Sequence, residues 1–452
     1  MSAMDEFPVA IVGAGPIGLA AAANLAERGV PFRVYEAGIE VGTNIRDWGH
    51  VHIFTAWEQS VDPASCRLLE ASGWTLPEGS VLPTGADLCE RYLAPLAGLP
   101  MLARYIETDA RVVAITRRGI DKVASKGRTE RLFALRITDR AGRERVVHSR
   151  AVIDASGTWH NPSPLGGSGI EALGEVAVRG HLAYGMPDVL GKDRPRYAGN
   201  RVTVVGAGYS AINVLLDLVQ LNASEPTWVV RGSNMQRIYG GGEADELAAR
   251  GKLRTHLRSL VERGRINLVT GFSTDAVTET KGGLVLTGEA DGRTMSLSPV
   301  DEIIVATGQR PDLVMTRELR LELDPSLESA KALGPMIDPN IHSCGSVNPH
   351  GHRETSHPEA GFYTIGIKSY GRAPTFLLLT GYEQARSVAA ALAGDLAAAD
   401  DVHLLLPNTG VCATVSQEVG CGGGTAPAKA DACCMVDAIA ADAGDNGRGV
   451  SA

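Results

Sequence analysis

The chain has 452 residues, 44% of them hydrophobic and 21% charged, with a formal net charge of −9. That length exceeds one ordinary core and suits two or three domains. The acidic balance, without a long run of Lys and Arg, argues against a nucleic-acid partner, and apolar runs that are strand-sized or broken by charge argue against a transmembrane helix.

The opening MSAMDEFPVAIVGAG puts acids where an export signal carries bases. Its apolar run therefore reads as a first strand, and the expected location is the cytoplasm. There the seven cysteines are expected to be mostly reduced and to serve packing, catalysis or metal binding. Val9–Val12 predicts a buried strand, followed by Gly13, Gly15 and Gly18 and an Ala-rich helix over residues 19–28 that Gly29 ends. Phe32–Tyr35 predicts a second strand, closed by Glu36. Residues 37–100 are loop-rich, with a helical stretch at 86–94, and residues 111–115 and 132–137 predict strands of an antiparallel excursion. Ala151–Asp154 predicts another buried strand, ending at Ala155, Ser156 and Gly157.

Residues 201–205 then repeat the opening: strand, Gly206, Gly208, a second Ala- and Leu-rich helix, and a strand at 227–230 closed by Arg231. Residues 302–306 repeat the late strand, here ending at Ala306, Thr307 and Gly308. Two copies of one pattern say more than either alone. Residues 374–392 predict a long terminal helix. After about residue 395, Ala, Gly and Asp dominate, and CGGGTAPAKADACC offers little to build a core, so this stretch reads as a flexible tail.

The loop GAGPIG needs three small residues for three reasons. Gly13 permits the turn out of the strand, Gly15 lets backbone approach a pyrophosphate, and Gly18 lets helix and strand pack closely. The helix N-terminus offers free N–H groups to phosphates, and Pro16 joins the three glycines as a candidate cofactor-binding residue. Glu36, about 20 residues on, stands where a carboxylate accepts from ribose hydroxyls. The second loop, GAGYSA, comprises Gly206, Gly208, Tyr209 and Ser210, with Ala211 in the third small position. Arg231 occupies the place of Glu36. A guanidinium there suits a 2′-phosphate that a carboxylate would repel, favouring NADPH over NADH, with Arg237 in support. The alternative is that Arg231 is a solvated strand-end charge.

On these residues the chain resembles the flavoproteins with two dinucleotide-binding domains, and among them the flavin-containing monooxygenases, over roughly residues 7–395. GAGPIG with Glu36 resembles that family's FAD fingerprint and GAGYSA with Arg231 its NADPH fingerprint. IDASGTWHNP, with Gly157, and IVATGQRPD, with Gly308, resemble the segments that return the chain to the FAD domain. Val112 matches the position whose backbone meets adenine. The stretch VAVRGHLAYGMPDV carries Gly180 and His181 at a spacing different from the family's signature. Relatives with a dithiol relay have CxxC or CxxxxC, whereas Cys66, Cys89 and Cys344 stand alone here, so no such relay is expected. The segments NIRDWGHVHIFTAW and HPEAGFYTIGIKSYGRAPTFLLLTGYEQA and the cysteine-bearing tail resemble flavoproteins associated with arsenic-resistance gene clusters. TGVC resembles part of the thiol site of arsenical metallochaperones.

Four of the seven cysteines, Cys412, Cys421, Cys433 and Cys434, lie beyond residue 395. Soft thiolates suit a trivalent metalloid, and the spacing lacks the paired knuckles of a zinc site; incidental thiols in a tail are the alternative. His350, His352 and His357 are expected in a loop lining the flavin or substrate pocket. Trp48, His50, His52 and Trp57 are expected either near the flavin ring or in the core.

The expected fold class is α/β, with two Rossmann-like three-layer dinucleotide-binding domains, the second inserted in the first. The FAD-binding domain takes residues 1–165 and 306–395, the NADPH-binding domain 166–305, and the cysteine-bearing tail 396–452. The expected function is that of an FAD- and NADPH-dependent monooxygenase acting with O2 on a small soft nucleophile, a trivalent arsenical among the candidates, in a chain that allows a homodimer. A flavin reductase passing electrons to a partner or metalloid is one alternative. A thiol-based metalloid-binding protein with a regulatory flavin domain is another. The cofactor carries the chemistry, so no catalytic side chain is assigned.

Overall fold

Val9–Val12 is a run of four apolar residues, all buried, and forms β1. A strand apolar on both faces belongs in the middle of a parallel sheet covered on both sides. The chain then supplies β2 (Phe32–Tyr35), β3 (Ile106–Glu107), a meander of β4 (Arg111–Arg117), β5 (Phe133–Thr138) and β6 (Glu144–Ser149), and β7 (Ala151–Asp154). A second series follows: β8 (Leu182–Tyr184), β9 (Val202–Val205), β10 (Thr227–Val229), β11 (Asn267–Val269), the meander β12 (Phe272–Thr280), β13 (Gly283–Ala290) and β14 (Arg293–Ser296), then β15 (Glu302–Val305). Last comes β16 (Phe362–Thr364). This computed structural model describes residues 6–221, 225–240, 245, 247–341, 347–374 and 376–404.

The strands assemble into two five-stranded parallel sheets, ordered β16-β7-β1-β2-β3 and β11-β10-β9-β15-β8, and two three-stranded antiparallel meanders. Strand by strand the two halves correspond, with β1, β2, β3 and β7 matched by β9, β10, β11 and β15. The correspondence extends to the second meander, which has no clear signal in the sequence. The edge strands differ in origin: β16 arrives from far down the chain to pair with β7 (Phe362 with Val152), while β8 precedes its own sheet and pairs with β15 (Leu182 with Ile303).

Helix Pro16–Glu27 follows β1 and has Pro at its first position, where the missing N–H costs nothing. Its Ala20–Ala23 are wholly buried. Such small residues allow close packing, and helix Leu378–Leu392 packs against it over the first sheet. That later helix starts at Leu378, four residues later than the composition suggests. Leu377 is extended at its N-cap (φ −119°) and Pro374 lies just before it. Nor does packed chain stop near residue 395. Helix Leu396–Asp400 docks through Asp400, whose carboxylate accepts from Arg353 (2.6 and 2.7 Å) and faces His352 Nε2 (2.8 Å). Ala399 is fully buried beneath it. No helix among the described residues is long and apolar enough to cross a membrane.

Candidate functional site

A cleft of about 550 Å³ opens at the carboxyl ends of the first sheet, lined by Gly13, Gly15, Pro16, Glu36, Val112 and Gly157 among others. The three loop glycines divide the work. Gly13 has φ +97°, and a Cβ on it would lie 2.8 Å from the carbonyl oxygen of Ala155, so this residue joins β1 to the end of β7. A Cβ on Gly18 would lie 2.0 Å from the carbonyl oxygen of Gly13, which places Gly18 behind the cleft, holding helix to strand. A Cβ on Gly15 would meet no atom within 4 Å; it would project into open space. Gly15 is the N-cap of helix Pro16–Glu27 and no side chain caps that helix end, so its first N–H groups are free for an anion.

Glu36 is buried at the end of β2. Its carboxylate accepts from the backbone N–H of Ala14 (2.7 Å) and Gly38 (2.8 Å), which fixes it at the cleft wall with lone pairs left over for hydroxyl donors. Val112 lies beside a bulge in β4. The pairing with β5 shifts between Val112 and Ala114, leaving Val113 out of the ladder, and Val112 and Val113 both line the cleft. The cleft thus offers an anion site at β1, a carboxylate for a ribose at β2, and an apolar wall with backbone groups free for a base. Those residues fit the adenosine diphosphate half of FAD.

The second loop repeats the first. Gly206 has φ +136° and its Cβ would lie 2.1 Å from the carbonyl oxygen of Ala306; Gly208 faces open space. Gly208 is the N-cap of helix Tyr209–Gln220, again without a side-chain cap, and Ser210 lies half-buried in its first turn. Tyr209 takes a hydrogen bond from Arg254 Nε (2.7 Å) and stands edge-on to Phe54, with ring centroids 4.8 Å apart. Arg231 is exposed and donates through Nη1 to the carbonyl of Gly167 (2.6 Å), which occupies one of its five N–H groups. Arg254 brings a second guanidinium to this mouth that the sequence does not single out. Residues 241–244 lie outside the described chain, as does the side chain of Arg237.

Between the two folds run two connecting segments, side by side. Ser163 N donates to Gly308 O (2.9 Å) and Arg310 N to Asn161 O (2.9 Å). Gly308 has φ +93° and precedes Gln309, which lines the cleft. Thr158 Oγ1 donates to the carboxamide oxygen of Gln309 (2.9 Å). Trp159 donates its indole N–H to Asp47 (2.8 Å). Trp159 and Gln309 both also line a smaller pocket of about 310 Å³ formed with Tyr184–Pro187, Lys192, Asp193, Arg196 and Tyr197. They are the residues that the pocket and the cleft have in common.

Of the aromatic segment 48–57, Trp48 lines the cleft, Trp57 is fully buried in the core, and His52 Nδ1 lies 3.2 Å from Leu82 O. Burial holds the His50 pKa below the usual histidine range. The expectation for His350, His352 and His357 is corrected: none lines the cleft. His350 is buried against Gln384, His352 faces Asp400, and His357 faces Thr364. Three histidines within eight residues of sequence point to three different neighbours, because the loop turns between them. Cys66 and Cys89 are free thiols whose pKa burial pushes up to about 11, and no cysteine lines the cleft among the described residues. Cys344, Cys412, Cys421, Cys433 and Cys434 lie outside the described residues.

Two dinucleotide-binding folds in one chain, each with its glycine loop and late strand, define the class of two-domain flavoproteins. Residues 7–360 match the pyridine nucleotide-disulphide oxidoreductase family, and the chain belongs to it. It is a flavin oxidoreductase by family, and its cofactors are FAD and a nicotinamide nucleotide. The fold is similar to bacillithiol disulfide reductase from Bacillus cereus (18% identity, TM-score 0.65, covering 86% of this chain and 99% of that one). It is also similar to ornithine hydroxylase from Pseudomonas aeruginosa (15%, 0.58, covering 86% and 99%). A third likeness is to the flavin-containing monooxygenase from Stenotrophomonas maltophilia (20%, 0.53, covering 86% and 99%). No curated protein matches the chain.

Proposed function

We propose that the chain is an NADPH-dependent flavin monooxygenase that transfers one oxygen atom of O2 to a small, soft nucleophile, with trivalent arsenicals as the first candidates. NADPH, a proton, O2 and the substrate give NADP+, water and the oxygenated substrate. The observation that carries this reading is the thiol chemistry of the site. Among the described residues no cysteine reaches the cleft, and Cys66 and Cys89 are held protonated by burial. Among these residues no dithiol stands beside the cleft to receive electrons from the flavin, which supports an acceptor that enters as a small molecule.

FAD supplies the redox chemistry when bound. The chain's own residues do the rest. Gly13, Gly15 and Pro16 present amides and a helix N-terminus to the FAD pyrophosphate, Glu36 accepts from the ribose, Val112 meets the adenine, and Gly157 leaves room at the end of β7. Gly206, Gly208, Tyr209 and Ser210 hold the NADPH pyrophosphate, and Arg231, with N–H groups to spare, takes the 2′-phosphate. Residues 1–165 and 306–395 then act as the FAD domain and 166–305 as the NADPH domain, with Gly308 at the return crossing. The smaller pocket receives the substrate, and Trp159 and Gln309, which line both cavities, place it beside the cleft while keeping bulk water out. Cys412, Cys421, Cys433 and Cys434 capture the metalloid as thiolates.

Turnover under 18O2 with a trivalent arsenical tests this. One labelled oxygen in product per NADPH is expected. NADPH oxidation that proceeds without O2, with a small disulfide as acceptor, overturns it. Arg231→Ala is expected to raise the KM for NADPH by about 10- to 150-fold and leave that for NADH nearly unchanged, the loss of one charge-assisted phosphate contact. An equal loss with both nucleotides would make Arg231 structural.

A further inference from the structure

We infer that Lys368 is a cofactor-facing residue whose ammonium group binds the flavin half of FAD and favours its reduced form. The inference rests on FAD binding, whether the electrons go on to O2 or to a disulfide. Lys368 lines the cleft yet is only 2% exposed. Its Nζ lies 2.7 Å from Asp154 Oδ2, itself 1% exposed, and donates to Ser156 Oγ at 3.0 Å. Ser156 in turn donates to Asp154 Oδ1 at 2.6 Å, closing a small network. An ammonium has three N–H groups. One donates to Ser156, the ammonium pairs with Asp154 by charge at 2.7 Å without a well-aligned hydrogen bond, and no other protein acceptor takes an N–H of Lys368 among the described residues. Asp154 stands behind the wall, whereas Lys368 and Ser156 are in it.

A buried ion pair adds little stability over well-packed apolar residues, because both charges give up their hydration. The pair is therefore poorly explained as scaffolding, and its place explains it better. Glu36 fixes the ribose end of the cofactor at β2, and Gly15 fixes the pyrophosphate beside β1. In the sheet order, β7 and β16 lie on the other side of β1 from β2. What remains of FAD beyond the pyrophosphate has to run past the ends of β7 and β16. Asp154 and Ser156 close β7, and Lys368 follows β16 by four residues. The ammonium is held ready there. Gly366 has φ +72°, its N–H donates to Gln384 Oε1 (2.8 Å), and Ser369 Oγ donates back to Gly366 O (2.7 Å). A turn fixed at that many points positions its lysine before any ligand arrives. Reduction raises the negative charge of the flavin half, so a fixed cation beside it favours the reduced form.

The test compares Lys368→Met and the double variant Lys368→Met/Asp154→Asn with wild type in the absence of NADPH. The double variant removes both charges and leaves no buried carboxylate unpaired, so it is expected to fold where the single variant, with Asp154 left buried and unpaired, does not. FAD affinity is read by fluorescence titration, and the two-electron potential by spectroelectrochemistry against a reference dye. The expected result in either folded variant is FAD affinity weaker by about tenfold or more. The reduced-to-oxidised ratio at fixed potential should also fall about tenfold, a shift of about 30 mV toward more negative values. A folded double variant with wild-type potential overturns the inference, even if its affinity falls. If oxygenation fails its own test while this shift is seen, the role of Lys368 stands.

Discussion

Gly13 and Gly15 are two residues apart in one motif, yet substituting them should have opposite consequences for the fold. Gly15 faces open space, so Gly15→Val should leave a folded, soluble protein that is colourless because the new side chain fills the place of the pyrophosphate. Gly13 combines φ +97° with contact to Ala155, so Gly13→Val should lower thermal stability as well as FAD content. Circular dichroism melts beside flavin absorbance separate the two; a yellow Gly15→Val protein would mean the pyrophosphate lies elsewhere. At His357, Glu322 N lies 3.4 Å from Nδ1 and thereby makes it the acceptor, so Nε2 carries the hydrogen that faces Thr364 Oγ1 at 3.0 Å. Burial pushes this pKa down to about 4 from 6.5. Between those values the unfolded chain binds a proton that the folded chain does not, so stability falls as pH drops through that window and levels off below it. The contribution is at most about 3 kcal/mol. Urea unfolding with saturating FAD should show a steeper loss from pH 6.5 to 4 in wild type than in His357→Gln; parallel curves would remove His357 as the cause.

At the scale of elements, the parts legible in the sequence are those where backbone geometry forces a residue type. Gly13 and Gly206 meet the backbone carbonyls of Ala155 and Ala306 in the same way, so both loops had to be glycine at that position. Buried strands such as Val9–Val12, apolar throughout, and Ala151–Asp154, apolar up to its closing aspartate, are legible because a short apolar run has few other uses. The second meander is hidden because β12 to β14 carry many exposed polar residues and glycines. The Lys368 network is hidden for a different reason. Lys368 and Ser156 stand 212 residues apart, and no local pattern records a pairing made only when β16 joins β7. Trp159 and Gln309 share that history. The histidine loop misleads for the converse reason: closeness in sequence carries no information about which way each ring turns.

For the whole molecule, the packed chain reaches at least Leu404, and this sets where the cysteine-bearing tail can be removed. Truncation after Leu404 should keep FAD content and basal NADPH oxidation while lowering metalloid-stimulated turnover at low metalloid concentration, with Cys433→Ser and Cys434→Ser together giving most of that loss. Full metalloid response in the truncated protein would make those thiols incidental. Truncation after residue 395 removes the Asp400 contacts and buried Ala399, and should lower Tm by a few °C, on the order expected for about 1–2 kcal/mol in a chain this size.

The paired connecting segments carry a further consequence. Ser163 and Gly308 are hydrogen-bonded neighbours, so the chain leaves the first fold and re-enters it at nearly one point. Topologically, the second fold is a cassette inserted at the tip of what would otherwise be a hairpin. Splicing residue 163 to 308 through a two-residue Asn-Gly turn should close that hairpin without disturbing β1, β7 or β16. The expected product is a shortened, yellow protein that binds FAD and can be reduced chemically, but no longer oxidises NADPH. A spliced chain that purifies folded but without flavin would show that the first fold cannot hold FAD unless the cassette is in place.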